Sequence, residues 1–245
     1  MNYKVKGGYN IYGEIIGILL NEAICPRIIG DMGNAMTFNF PVKYKIVKGA
    51  TVERVVEKTD PKLLYPFIKA AQELEKEGVK AITTSCGFLS IFQEEISAAT
   101  NIPVFTSSLI QVPLVYRMLG KDKKVGIITA YKSKLTEKHL RAVGIDENIP
   151  VYIIGMENSQ EFYNVIIKQK SIMDVKKVEA EVVINARLLV EQNNDIGAIV
   201  FECTNLPPYA AAVQRAVHLP VFDIITLTNM IYNAVVRKEY PVYFQ

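Results

Sequence analysis

Val79-Lys-Ala-Ile-Thr-Thr-Ser-Cys86 and Ile196-Gly-Ala-Ile-Val-Phe-Glu-Cys203 are two copies of one pattern. Each reads as a short buried strand that runs into a thiol. A proline follows seventeen residues after each cysteine, in Ile102-Pro103-Val104-Phe105 and in Leu219-Pro220-Val221-Phe222. The displacement is 117 residues at both landmarks (86 to 203, 103 to 220), and without a gap it also aligns Ala81 with Ala198, Ile82 with Ile199, Leu89 with Leu206 and Ala99 with Ala216. An internal duplication of this kind predicts near-twofold symmetry. It would aim two thiols at one cleft from opposite sides, and two opposed acid/base groups are what inverting a carbon centre requires.

The flanking sequence repeats the same organisation. Ile15–Leu20 and Val125–Thr129 read as the first strand of each half, Tyr44–Val47 and Val151–Ile154 as the second. Ala81–Thr84 and Ala198–Phe201 are the third, and Val104–Phe105 and Val221–Phe222 the fourth. These runs are short and β-branched, as in parallel strands covered on both faces. Helical spacing separates them: Leu64, Phe67, Ile68, Ala71 and Leu74 before Gly78, then Val178, Val182, Ala186, Leu189 and Val190 in the second half. Further helices are expected over 135–143, 92–100, 209–217 and 227–236. The predicted fold is α/β: two pseudosymmetric domains, each an open, mainly parallel sheet flanked by helices, with a cleft between them. Residues 12–106 pair with 122–223. Residues 1–110 plus 224–245 are assigned to the first domain and 111–223 to the second, with the tail after Asp223 folding back on the first. The Gly-punctuated stretch 25–41 has no counterpart and no period, and reads as a loop over the cleft.

Composition narrows the classes. Half of the residues are hydrophobic, enough for a substantial core, and the net charge of +3 is scattered. The densest basic run, Lys121-Asp-Lys-Lys124, lacks interleaved aromatics and reads as a solvated turn, so no nucleic-acid partner is expected. The first eight residues have no apolar leader core, and no apolar run reaches the ~18–20 residues of a membrane span. No membrane association and a cytoplasmic location are therefore expected. Three cysteines without CxxC spacing predict neither a disulfide framework nor a structural zinc site. GxGxxG, P-loop, HExxH and GxSxG motifs are absent, so no cofactor and no metal are expected. Of the two histidines, His139 in Glu137-Lys-His-Leu reads as solvated and His218 as a turn residue.

A thiol acts as a base only as thiolate, and its free pKa is about 8.5. Each cysteine stands at a strand end just before a helix, where N–H groups and the helix dipole favour negative charge. The same N–H groups suit a substrate carboxylate and the enolate-like charge that forms when an α-proton leaves. A single strand-end cysteine is most often a small hydrophobe. Two at matched positions, each bracketed by polar or small residues, favour chemistry. Cys86 and Cys203 are the candidate catalytic residues, and Thr84, Ser85, Gly87, Phe88, Thr204 and Asn205 the candidate substrate contacts. Arg27 and Asn34 in the loop are candidate carboxylate binders. Cys25 has no twin and reads as structural.

With its duplicated strand-Cys motif, the Cys203-Thr204-x-x-Pro207 run and the two Pro-Val-Phe strands, nearly the whole chain resembles the aspartate/glutamate racemase superfamily. That superfamily also contains hydantoin racemases, maleate cis-trans isomerases and arylmalonate decarboxylases. The resemblance implies a cofactor-free site between two α/β domains, a homodimer, and a two-base reaction. Cys86 and Cys203 match the catalytic pair, and Thr204 matches a threonine that binds the substrate carboxylate. The motifs also depart from the family's usual forms. Cys86-Gly87-Phe88 replaces Cys-Asn-Thr, Asn205 stands where His or Glu is common, and Asn21-Glu22 follows the first strand.

The resulting expectation is a cofactor-independent racemase or epimerase of a small carboxylate such as aspartate or glutamate. Each sulfur would lie about 3–3.5 Å from a reacting atom on opposite faces, which sets the sulfurs about 6–8 Å apart. Two alternatives stay open. One is a maleate-isomerase-like or decarboxylase-like enzyme with one nucleophilic cysteine. The other is a non-catalytic, two-lobed carboxylate-binding protein.

Overall fold

The computed structural model describes residue 4 and residues 7–240. Parts of the leader reading (residues 1–3, 5 and 6) and the tail end 241–245 lie outside the described residues. Two four-stranded sheets carry the fold, and every strand pairing is parallel. In the first, β1 (Ile16–Glu22), β2 (Val42–Thr51), α1 (Leu64–Lys76), β3 (Ala81–Thr84), α2 (Gln93–Ala98) and β4 (Val104–Phe105) follow in sequence, then α3 (Val112–Met118) leads onward. The second half supplies β5 (Lys124–Thr129), α4 (Glu137–Arg141), β6 (Val151–Gly155), a three-residue α5 (Gln160–Phe162), α6 (Val175–Glu191), β7 (Ile196–Phe201), α7 (Ala210–Val217), β8 (Val221–Phe222) and α8 (Ile224–Val235). Sheet order is β2-β1-β3-β4 in one and β6-β5-β7-β8 in the other. The expected α/β architecture with two like-ordered sheets is what the structure holds.

The sequence explains the local elements. Asp60 accepts the N–H of Lys62 ahead of Pro61, and the chain enters α1 through a short 3-10 turn. Asp174 caps α6 by accepting from Lys176 and Lys177, and Val178, Val182, Ala186 and Leu189 form its buried stripe. Each leading strand has a glycine where its helix crosses. A Cβ at Gly17 would fall 2.9 Å from Leu74 Cδ1, and one at Gly126 would fall 2.9 Å from Leu189 Cδ2. The duplication therefore extends to how closely α1 and α6 approach their sheets. α8 is held by a reciprocal cap between Asp223 and Thr226. Its Ile224 and Leu227 are buried with Ile16, Ile18, Met32 and Phe105 of the first half.

A second duplicated device has no sequence period. After β2 the chain makes a π-helical turn at Glu53–Glu57, and after α5 another at Tyr163–Ile167. In each the N–H five residues on returns to the first carbonyl, Lys58 to Glu53 at 2.9 Å and Lys168 to Tyr163 at 3.0 Å. The following residues, Thr59 and Gln169, take positive φ of 47° and 58°. Both turns put apolar side chains against the cleft. Among the described residues no helix is long and apolar enough to cross a membrane.

Candidate functional site

In each sheet the chain moves outward from the first strand to the second, then crosses back to the third. The crevice at the C-terminal ends of β1 and β3, and of β5 and β7, is thus the place where parallel sheets bind ligands. Both switch points open on one pocket. Its walls hold Asn21, Ser85, Cys86, Gly87 and Phe88 from the first half, Ala130, Glu202, Cys203, Thr204 and Asn205 from the second, and Cys25 and Arg27 from the loop. The π-turns add an apolar side, with Val52 and Val56 facing Ile166 and Ile167, and Gln169 closes the rim. About 430 Å³ lies between these walls, of which about 30 Å³ is free for water, room for about two molecules.

The closure is held by contacts between the halves. Thr204 Oγ1 donates to the Ser85 carbonyl at 2.6 Å, Ser108 Oγ to the Phe201 carbonyl at 2.5 Å, and the Ile24 N–H to Gln169 Oε1 at 2.9 Å. Two of the interlocking positions are twins. Ser85 and Thr204 touch across the cleft, and so do their counterparts Glu202 and Gly87. A Cβ on Gly87 would lie 2.3 Å from the Glu202 carbonyl oxygen and equally close to Oε1, so this position admits no side chain.

Both thiols are free, Cys203 buried and Cys86 half-buried. The expected lowering of their pKa is overturned. Burial, then the charge of Glu202, pushes Cys86 up to about 12, and the same two causes in the same order push Cys203 well above the ordinary thiol value. The reason is visible in the chain path. Each thiol is followed by 3-10 turns (Gly87–Phe92 and Pro207–Tyr209), and α2 and α7 begin only at Gln93 and Ala210. A helix dipole acts within about its first turn, so both start too late. The N–H of Phe88 against Cys86 and that of Asn205 against Cys203 pull in the opposite direction but do not prevail.

Other candidates are placed more variously. Thr84 is not in the pocket wall: its hydroxyl donates to the Thr106 carbonyl at 2.6 Å and fastens β3 to the chain after β4. Asn34 is a loop brace, donating to the Arg27 carbonyl at 2.9 Å and capping a 3-10 turn at Ala35–Thr37. Arg27 does reach the pocket but pairs with Asp31 at 2.8 Å, and Asn205 donates to the other Asp31 oxygen. His139, read as solvated, is wholly buried, edge-on to Phe88 with ring centroids 5.5 Å apart. Its Nδ1 serves the Thr136 cap, and burial pushes it down to about 4. Glu202 and the π-turn side chains were not singled out from sequence, and Asn21 was noted only for its place after the first strand. The duplication register held one signal: it sets Glu202 opposite Ser85, a charge against a hydroxyl.

The sequence model of the family described as Asp/Glu/hydantoin racemase matches residues 49–229, a span that contains both cysteines. The chain belongs to this family. It is 33% identical over 222 residues to a dimethylsulfoniopropionate lyase of Durusdinium sp. clade D, covering 88% of this chain and 73% of that protein. It is 34% identical over 225 residues to dimethylsulfoniopropionate lyase 3 of Emiliania huxleyi, covering 87% of this chain and 58% of that protein, under two thirds of the relative's length. Among solved structures, a sulfate-associated arylmalonate decarboxylase variant superposes with a TM-score of 0.61 at 18% identity, over 94% of this chain and 97% of that one. Glutamate racemase RacE1 of Bacillus anthracis gives 0.56 at 15% identity, over 91% and 81%. These likenesses carry the fold.

Proposed function

We propose that the protein is a carbon–sulfur lyase that splits dimethylsulfoniopropionate into dimethyl sulfide and acrylate. One cleft thiol, as thiolate, removes a proton from the carbon next to the carboxylate. The electron pair of that C–H bond forms the double bond, and the carbon–sulfur bond breaks with its pair leaving on neutral dimethyl sulfide. The first step is the one shared with racemisation, removal of a proton α to a carboxylate, so the racemase scaffold needs no new base. The leaving group departs neutral, so no general acid is needed.

The observation that carries this reading is the pocket's charge inventory. Its lining holds one cationic side chain, Arg27, already paired with Asp31, and a wall of Val52, Val56, Phe88, Ala130, Ile166 and Ile167. A dicarboxylic amino acid would ask for cations to meet two carboxylates and for acceptors around an ammonium. A sulfonium carboxylate asks for one carboxylate contact and an apolar surface for two methyl groups. The identity to dimethylsulfoniopropionate lyases supports the same choice.

The second reading, a two-base racemase of a small carboxylate, is favoured by the matched placement of Cys86 and Cys203. The two differ in what they require. Elimination needs one base, racemisation needs both. Headspace detection of dimethyl sulfide from the wild type, with only one of Cys86→Ser and Cys203→Ser abolishing it, is the expected result. No dimethyl sulfide, together with α-deuterium uptake into an amino acid that both substitutions stop, would return the two-base reading.

A further inference from the structure

Glu202 is wholly buried at the end of β7, one residue before Cys203, and lines the pocket. Its Oε2 accepts from the Thr129 hydroxyl at 2.7 Å and lies 3.5 Å from the Ala130 N–H. Its Oε1 is buried without a hydrogen-bond partner and lies against Gly87 beside Cys86. The other half shows what the fold alone requires at this position. There the residue is Ser85, and its hydroxyl accepts the Asn21 N–H at 3.1 Å, closing the equivalent strand end. A hydroxyl suffices for that duty. The second half places a buried carboxyl there, which desolvation opposes, and leaves half of it unpaired.

Arg27 and Asp31 neutralise one another, and burial disfavours the charged form of both thiols until one of them is called on as the base. Burial raises Glu202 to about 7, so near neutral pH it is poised to carry the pocket's unmatched negative charge. The free oxygen has no N–H or O–H donor near it. A cation without such donors, of low hydration and with methyl groups, fits both that oxygen and the apolar wall. In an enclosed pocket the attraction is far less screened than in water.

We propose that Glu202 is the counter-charge for the cationic head of the substrate, its free Oε1 facing an onium group on the carbon β to the carboxylate and selecting onium carboxylates over neutral ones of the same shape. The proposal rests on the reading of the pocket as one for a β-sulfonium carboxylate. It assigns Glu202 to recognition. As the carbon–sulfur bond breaks, the positive charge disappears, so the contact is strongest before the reaction. Its loss therefore raises KM more than it lowers kcat.

The test uses two unreactive probes of one shape, 3-(trimethylammonio)propionate and 4,4-dimethylpentanoate, titrated calorimetrically into the full chain at pH 8. The wild type is expected to prefer the onium probe by at least about tenfold, a difference of 1.4 kcal/mol. In Glu202→Gln the preference falls to within about threefold, while affinity for the neutral probe holds. Glu202→Ser, which installs the first half's own residue, gives the same loss and stands in if the glutamine variant does not fold. A preference that survives in the folded variants, equal binding of both probes by the wild type, or binding of neither, overturns the proposal. Dimethyl sulfide release is scored separately. Onium preference lost with Glu202 but no lyase activity would refute the reaction and keep the recognition role. Lyase activity with an unchanged preference in Glu202→Gln would do the reverse.

Discussion

Ser85 and Glu202 occupy the same place in the two halves, each one residue before a thiol and each taking the N–H at the end of the neighbouring strand. Gly87 and Thr204 are likewise twins, each one residue after a thiol. Across the cleft the pairs interlock: Thr204 bonds to the Ser85 carbonyl, and Glu202 packs on Gly87. The backbone is therefore close to symmetric while the chemistry is not. Symmetry supplies two switch points and two thiols facing one pocket. The asymmetry, one carboxyl against one hydroxyl and one side chain against none, decides what the pocket can accept and whether the two thiols are equivalent.

The most severe break of the comparison is removal of the thiols one at a time. A positioned base contributes about 10²–10⁴-fold. Lyase activity should fall by about 10³-fold in one of Cys86→Ser and Cys203→Ser and by under about tenfold in the other, measured as initial rates of dimethyl sulfide release. Equal losses would mean that the asymmetry around the thiols has no catalytic meaning.

Gly87 comes next. Any Cβ there meets both a carbonyl oxygen and a carboxylate oxygen of Glu202. The carboxylate could swing aside, but the carbonyl belongs to the strand end. Gly87→Ala should cost about 3 kcal/mol by urea denaturation, at the upper end of overpacking. Glu202→Ser in the same chain, which removes the carboxylate and keeps the carbonyl, should not restore it. Rescue by the second substitution would show that the side chain, not the backbone, sets the close approach.

Two buried titratable groups pull stability in opposite directions with pH. Burial raises Glu202 to about 7, so the native state holds a proton that the unfolded chain gives up near its ordinary 4.5. Its contribution is full below about pH 4.5 and is lost as pH rises to 7. His139 is pushed down from 6.5 to about 4 by burial. Below pH 6.5 the unfolded chain takes a proton that the native state refuses, so its contribution is full above 6.5 and is lost toward pH 4. Each effect amounts to about 3 kcal/mol across its window. Between pH 4.5 and 6.5 the two slopes cancel in the wild type. Glu202→Gln should uncover a fall on acidification and should be more stable than the wild type at pH 8, whereas His139→Asn should uncover a fall toward neutrality. Parallel curves for all three proteins, from urea denaturation at each pH, would remove both assignments.

The scaffold was legible in sequence because its signals are periodic. Strands buried on both faces read as apolar runs, α1 and α6 as helical stripes, and the duplication fixed both thiols at once. What stayed hidden depends on direction or on contacts far apart in sequence. His139 has charged neighbours, Glu137 and Lys138, but its own ring turns inward to brace Thr136 and meet Phe88. The π-turns have no apolar period, since one wide turn does not repeat, so Val56 and Ile166 gave no sign of lining a pocket. The thiol environment was misjudged because the helices expected over 92–100 and 209–217 start six residues after each cysteine, too far for their dipoles to act, and 3-10 turns fill the gap. Glu202 stood in plain view beside Cys203. Its orientation toward Gly87 across the cleft, which gives it meaning, is a tertiary fact.

Thr204 offers the mildest test and isolates one contact between the halves. Its hydroxyl reaches the Ser85 carbonyl at 2.6 Å, and both residues are buried. Thr204→Val keeps the shape and leaves that carbonyl without its donor, which should cost about 1–2 kcal/mol. Thr204→Ser retains the hydroxyl and should recover most of the loss. The twin contact, Glu202 on Gly87, contains no such bond between the twin residues, and the strand end there is held instead by the Ser108 hydroxyl on the Phe201 carbonyl. If the hydrogen bond contributes to closure, Thr204→Val should also raise KM for dimethylsulfoniopropionate by a few fold with kcat nearly unchanged. A stability loss without any change in KM would confine Thr204 to holding the fold and leave closure to the other contacts between the halves.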